Sequence, residues 1–421
     1  FTMDSLNELD LEKMSLAGTL VSGGIIPDLK YALYLQPDKS LGFKIKRNEA
    51  GYPMYGGKGR GFIDLSLSDE GFFGTGEINY LASVSKSEQF VMLLDSLNGQ
   101  CSTFDNKRTG IYPDVIATNT YNHWMPYLDT MLISRTKEII KFSNKRADLD
   151  GTVIYTPSSM HAKGNINIEE AQLTSADFWL QPDQILSEDA RFKLFDLKDA
   201  TKFAFASNSV KARVDLENRL GDFKFNQKGI NAFFNYNLYA GSFDEFFWRM
   251  DPKTVDFKSA EPDGKNTYLV STHPLQDSLQ FTTAVTTLAI KDYTMYAKKV
   301  PFIAVGDAQV YPDSNKATIR GGAEMDVLNK ARIEADTINR YHKIDSVSIK
   351  IAGKFNVLGS GKYEYVDKKK NVQKFFMNEI FINKAHQLIG KSNIPDTVKF
   401  FVGPKIQFRG NAVLTSVVRN L

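Results

Sequence analysis

Cysteine is almost missing from this chain of 421 residues. The one thiol, Cys101, excludes a disulfide framework and any multi-cysteine zinc or iron–sulfur site. A charge excess is missing too: 52 basic residues face 49 acidic ones, a net +3. Recognition of nucleic acid or of an anionic membrane surface needs a basic surplus gathered on one face, and this balance gives no sign of one. Long apolar runs are also lacking. None exceeds Phe90 to Leu94, far short of the about 18 residues that cross a bilayer as a helix. Position 1 is not methionine, no charged-then-apolar leader follows it, and Val417 to Leu421 reads as a strand cut short. The chain is therefore expected to be a piece of something longer.

What is present is the composition of a folded protein, 42% hydrophobic and 24% charged, with ample chain for a core. At about 150 residues per domain the length suggests two to three domains. Polar stretches at 144–151 and 251–266 place the breaks, giving three expected regions: 1–145, 146–260 and 261–421.

Alternation of apolar and polar residues dominates. Ile63, Leu65 and Leu67 alternate with Asp64, Ser66 and Ser68; Val347, Ile349 and Ile351 do the same, as do Phe203 with Phe205, Phe223 with Phe225, and Ile406 with Phe408. A period of two puts one side chain in and the next out, the mark of a sheet with one buried face. Asp, Asn, Gly and Pro cluster between these runs at Ser68–Gly71, Glu261–Gly264, Tyr311–Asn315 and Asp367–Asn371, where tight reversals need them. Helical patterning is limited to Thr2–Met14 (Met3, Leu6, Leu9 or Leu11, Met14) and to Ser242–Met250, where Ser242 and Glu245 have capping-box spacing. The expectation is an all-β protein with one or two short helices.

Two stretches align without gaps, Ile63–Tyr80 and Gly151–Ile168, with Gly76 opposite Gly164 and Ile78 opposite Ile166. A third copy is expected from Ala308 through Gly322 to Asp336. Units of a few short strands cannot bury their own apolar faces, so neighbours must stack. The predicted architecture is an elongated run of stacked antiparallel β units, of β-taco, jelly-roll or solenoid type.

Four segments carry a resemblance: Leu20-Val-Ser-Gly-Gly-Ile-Ile-Pro27, Tyr55-Gly-Gly-Lys-Gly59, Gly71-Phe-Phe-Gly-Thr-Gly-Glu-Ile-Asn-Tyr-Leu81 and Asn122-His-Trp-Met-Pro-Tyr127. Through them the chain resembles a family of very large exported proteins of Bacteroidota. Its repeated strands also resemble, in pattern alone, the β-taco or jelly-roll rungs of lipopolysaccharide-transport and AsmA/TamB-type envelope proteins. The resemblance implies an extracytoplasmic place, in the periplasm, outer membrane or cell surface, and a folded sheet with an apolar groove. It brings no catalytic residues.

Site chemistry is thin. Tyr55–Gly61 is glycine-rich and basic but lacks phosphate-loop spacing and reads as a hairpin loop. The five histidines, 123, 161, 273, 342 and 386, form no local metal pair, and no nucleophile elbow surrounds any serine. Acid pairs occur at Asp148/Asp150, Glu169/Glu170 and Glu334/Asp336, where alternation makes them solvated strand faces. No catalytic residue, cofactor or metal is therefore assigned. Aromatic residues offer the remaining candidates for ligand contact: Trp124 and Tyr127, then Phe246, Phe247 and Trp248 in the run 233–248. The first reading is a non-enzymatic cell-envelope β scaffold that binds or conducts lipid along an apolar groove, with other envelope proteins as partners. The alternatives are a surface module for glycan or protein, with Trp124, Phe246 or Trp248 exposed, and a β-helix-type carbohydrate-active enzyme with convergent acids.

Overall fold

The computed structural model describes residues 1–7, 14–37, 39–197, 199, 201–366, 371–403 and 405–418. Leu9 and Leu11 of the first expected helix, turn residues 367–370 and the last three residues lie outside the described residues. The described chain is all-β: strand follows strand from Thr2–Asn7 to Gly410–Thr415, and the helical content is four one-turn 3-10 segments. The strand pairings are antiparallel, between neighbours in sequence through much of the first unit and between alternating strands in part of the second.

In place of the two expected α-helices the described residues form strands, with 8–13 of the first outside the described residues. Thr2–Asn7 pairs antiparallel with Ser15–Leu20. Ser242 ends the strand Tyr239–Ser242, and Glu245–Arg249 follows as another. The Ser242/Glu245 spacing fits a capping box, but Phe246 and Trp248 point inward and Phe247 outward, so the period is two and burial of the rings decides the structure.

The chain divides into two compact units: residues 1–190 with 212–218, and 191–211 with 219–421. No break falls at 145 or 260. The polar stretch at 144–151 is the end of a hairpin turn at 143–146 and the start of the strand Ala147–Tyr155, which pairs back on Ile140–Phe142, and 251–266 holds a turn, the strand Thr254–Lys258 and a loop within the second unit. Turns and linkers draw on the same polar residues, which is why composition did not separate them.

In the first unit the meander is creased. Midway along successive strands the register shifts: between Gly74 and Gly76, between Ser87 and Phe90, and between Ala162 and Gly164. Gly76 and Gly164 hold φ of 138° and 130°, where a side chain is strained. Beyond the crease each strand continues, so the sheet has two leaves. They close on one core: Trp124 and Tyr155 of one leaf meet Tyr80 of the other, with ring centroids 5.1 and 5.6 Å apart. Tyr55 donates from its hydroxyl to the Leu93 and Ser96 carbonyls, both at 2.8 Å, and Tyr112 to that of Thr156 at 2.8 Å, so aromatic packing also ties down hairpin loops.

The second unit uses the same device with the strands cut fully in two. One ladder runs through Leu220–Phe225, Glu245–Arg249, Thr254–Lys258, Val285–Ala289, Met295–Lys298 and Lys316–Ile319. The other runs through Ala232–Phe234, Tyr239–Ser242, Tyr268–Ser271, Gln280–Thr282, Ile303–Val305 and Ala308–Tyr311. Phe234 of the second ladder packs 4.9 Å from Phe257 of the first, which closes the leaves.

A crease leaves backbone groups without ladder partners, and small hydroxyl side chains take them. Ser87 Oγ accepts from Gln89 N–H at 3.1 Å and donates to Gln100 O at 2.7 Å. Ser175 Oγ accepts from Asp177 N–H at 3.1 Å and donates to Asp189 O at 2.7 Å, and Ser187 Oγ donates to Asp177 O at 3.0 Å. In the second unit Thr267 Oγ1 donates to Thr283 O at 2.7 Å and Thr283 Oγ1 to Lys298 O at 3.0 Å.

Ser175 lies 88 residues after Ser87, as Gly164 does after Gly76. The repeat therefore extends beyond the stretch visible in sequence: Phe90/Phe178, Met92/Leu180 and Leu97/Ile185 keep the offset and are all buried. The third expected copy departs from it, since Ala308–Tyr311 and Lys316–Ile319 pair with different partners instead of with each other.

Removing the Ser87 hydroxyl leaves part-buried backbone groups without their partner, whereas those bonded by Ser175 are exposed and can turn to water. Ser87→Ala is expected to lower unfolding free energy by about 1 kcal/mol in urea titrations, and Ser175→Ala by less. Gly164→Ala should cost more than either, because its Cβ would sit 2.3 Å from the Asp150 carbonyl oxygen. A Gly164→Ala protein as stable as wild type would refute the crease as described.

Candidate functional site

Of the five candidate aromatics, three are core. Trp124, Phe246 and Trp248 are wholly buried. Trp124 packs edge-on to Tyr55 at 5.3 Å. Phe246 stacks on Phe223 at 4.4 Å, with the planes 8° apart, and meets Phe205 at 5.2 Å. Phe192 touches Phe205, Phe223, Phe246 and Trp248 within 5.9 Å. Truncating one such ring costs about 3–5 kcal/mol against a typical total stability of about 5–15 kcal/mol, so these rings hold the leaves together. The exposed concave aromatic face that a glycan module would need at 124, 246 and 248 is absent there. Where the aromatic run folds, the apolar interior is filled by the chain's own rings.

Tyr127 and Phe247 differ. Tyr127 is more than half exposed, with its ring edge-on to Tyr55 at 6.1 Å. Phe247 is half-buried on the outer side of its strand, where the Lys258 ammonium lies 4.2 Å from its ring centroid.

The acid pairs are each engaged locally. Asp150 takes a 2.5 Å ion pair with Arg135, and Glu169 and Glu170 sit at a hairpin turn. Glu334 is almost buried; it accepts from the Tyr311 hydroxyl at 3.1 Å and faces Arg332 and Arg340 at 3.7 and 3.8 Å. Asp336 accepts from Ile338 N–H at 2.9 Å and from the Asn339 side chain at 3.1 Å, and these hydrogen bonds hold its carboxyl below the usual range against the opposing effect of burial. Among the described residues no three His, Cys, Asp or Glu side chains gather as metal ligands. Cys101 is buried, and burial pushes its thiol up to about 12. Tyr55–Gly61 forms the hairpin its composition suggests, Tyr52–Met54 pairing with Gly59–Ser68.

The outer face of the first unit carries a group of residues that the sequence reading passed over. Cross-strand registers align Phe73, Val91, Asn98, His123, Leu132, Ile154, His161 and Trp179 in one row across eight strands. All are half-buried or exposed. Trp179, the third tryptophan, is 44% exposed. Its ring lies 6.3 Å from that of His161, the planes 4° apart, and His161 Nδ1 sits 2.7 Å from Asp177 Oδ1. Beside this row stand Gln100, Tyr121, Ser134, Thr152 and Lys163, paired in register, with Tyr121 45% exposed. At the crease end of both rows an open cleft of about 450 Å³ is lined by Glu88, Gln89, Asn98, Gln100, Asn119 and Tyr121 among others. The signal was available: with Phe178 and Leu180 inward, a period of two turns Trp179 out.

His342 is a buried titratable group that ties its strand to two other segments. Its Nδ1 lies 2.9 Å from the Tyr363 hydroxyl and its Nε2 2.7 Å from the Val418 carbonyl. Burial pushes its pKa below the ordinary imidazole value, and hydrogen bonding to Val418 and the Asp336 charge only partly oppose this. Tyr363, pushed up to about 12 by burial, stays neutral beside it.

With Trp124 and Trp248 buried, acrylamide should quench Trp179 selectively. Trp179→Phe is expected to remove nearly all of the quenchable emission, and quenching that persists would contradict the placement. A depressed His342 pKa means the unfolded chain binds the proton first. Its contribution to stability is therefore full above the unfolded value of about 6.5 and falls as pH drops toward the folded value. Urea midpoints measured from pH 7.5 to 5.5 should fall more steeply for wild type than for His342→Gln, and equal slopes would refute the linkage. No protein-family model, no curated protein and no solved structure matches this chain.

Proposed function

We propose that the chain is a non-enzymatic β scaffold of the cell envelope, placed outside the cytoplasm, with other envelope components as its partners. The observation that carries this reading is the creased meander in each unit, closed on a filled aromatic core, with the polar side chains most suited to chemistry committed to structural partners. Glu334 is held by Tyr311 and two arginines, Asp150 by Arg135 and His161 by Asp177. Such groups hold strands in place. A buried, unreactive Cys101 also suits a compartment where exposed thiols are oxidised. A lipid conduit would need an open apolar groove, and the rings around Phe205 and Phe246 occupy that space in the second unit, so the reading stops at a scaffold.

Fractionation of cells that carry the native protein tests the placement. The chain should be recovered with envelope membranes or periplasm and be degraded by protease added to spheroplasts or to permeabilised outer membranes. Recovery in the cytosol, protected from that protease, would overturn it.

A further inference from the structure

We infer that the outer face of the first unit is a binding site for a neutral oligosaccharide, laid along Tyr121, His123, His161 and Trp179. Four observations converge on that ligand class. First, Tyr121 and Trp179 are 45% and 44% exposed while Asn122 and Trp124, and Phe178 and Leu180, beside them are buried, so two large rings are held outward by register. The apolar C–H face of a pyranose packs on such rings, and tyrosine and tryptophan supply wide contact area with little rotamer entropy to lose.

Second, the cleft of about 450 Å³ beside Tyr121 presents four primary amides, those of Gln89, Asn98, Gln100 and Asn119. An amide donates and accepts at once, as a sugar hydroxyl does; Asn98 Oδ1 already meets His123 Nδ1 and Gln100 Nε2 donates to Thr136 Oγ1 at 3.0 Å, so those two offer a sugar their other polar atom, beside the amides of Gln89 and Asn119. Third, the charge matches. Glu88 is the one formally charged side chain lining the cleft, and His161 farther along is paired with Asp177. The cleft offers an anionic ligand no counter-charge and a basic one only the Glu88 carboxylate, whereas an uncharged ligand needs none. Fourth, the face has length. Four strand steps separate Tyr121 from the strand of Trp179, about 20 Å at the usual strand spacing, which suits a short chain of sugars better than a single ring.

The 88-residue offset adds a structural reason for the platform. Phe73 and Val91 pair across strands in the first copy as His161 and Trp179 do in the second, at equivalent positions and on the same row. The repeat thus presents an outward pair at the same place in each copy, Phe73 and Val91 in the first and a stacked imidazole and indole in the second.

The test uses the full chain and a panel of maltohexaose, cellohexaose, mannohexaose, xylohexaose and chitohexaose, with binding read by calorimetry and by Trp179 emission. At least one member should bind and shield Trp179 from acrylamide. Tyr121→Ala and Trp179→Ala should each weaken it by about tenfold or more, with Trp179→Phe between Trp179→Ala and wild type. Tyr296→Ala, which removes an exposed ring of the second unit, should leave binding unchanged. Thermal melts that match wild type confirm that the variants are folded. Binding to none of the five, or binding indifferent to both alanine variants, overturns the inference. So does a dimer seen by sedimentation that Trp179→Ala dissociates, since the face would then belong to a second copy.

Discussion

The structure depends on how the backbone is satisfied where a strand bends. A sheet that folds over itself must break its own ladder where its strands bend, and each break leaves N–H and C=O groups in need of another partner, some of them partly shielded from water. Leaving one unpaired costs about as much as a large share of a domain's net stability. Here the breaks are aligned, and a serine or threonine hydroxyl stands at many of them: Ser87, Ser175 and Ser187 in one unit, Thr267 and Thr283 in the other. A hydroxyl suits this role because it accepts from the bulged N–H and donates to a carbonyl of the next strand in the same small volume. Alignment matters as much as satisfaction, since losing a one-residue bulge would turn every later side chain to the wrong face.

That parity links core and surface. In Ala171–Leu180 the residues before the crease point inward at Ala171 and Leu173, and those after it at Phe178 and Leu180, so the bulge at Ser175–Asp177 has shifted the phase by one. Phe178 enters the core because of that shift, and Trp179 is exposed for the same reason. In the second unit the two-residue break at Phe243–Asp244 likewise sets Phe246 and Trp248 inward and Phe247 outward. The aromatic residues therefore have two fates, decided by one residue of register and not by hydrophobicity.

This explains what could be read from the residues and what could not. Alternation at Ile63–Leu67 and Val347–Ile351 reports a local property, one face buried, and the strands are where it puts them. Gly76 and Gly164 were visible as a matched pair because positive φ restricts the choice of residue. The rest of the 88-residue repeat was hidden because beyond isolated identities such as Ser87/Ser175 and Phe90/Phe178 it keeps burial alone: Met92 and Leu180, or Leu97 and Ile185, fill the same kind of place with different shapes. Ser242–Met250 looked like a capped helix because capping and crease chemistry use the same small polar residues, and only the cross-strand partners of Phe246 and Trp248 distinguish them. Trp179 stayed unnoticed beside the denser aromatic run at 233–248, although density of rings is what a core needs and a lone outward ring is what a surface site needs.

The two faces of a creased sheet are under unequal constraint. Inward positions must interdigitate with the opposite leaf, as Trp124 and Tyr155 do with Tyr80, so a change there is felt across the core. Outward positions of a central strand need only tolerate their cross-strand neighbours, and a repeating sheet aligns them in rows without further design. The Phe73–Val91 and His161–Trp179 pairs hold equivalent sites in such a row, so one can become a platform while the other remains plain surface, with no cost to the leaf beneath. A scaffold of this kind can acquire a recognition surface by substituting outward residues of one copy, leaving the crease hydroxyls and the aromatic core unchanged.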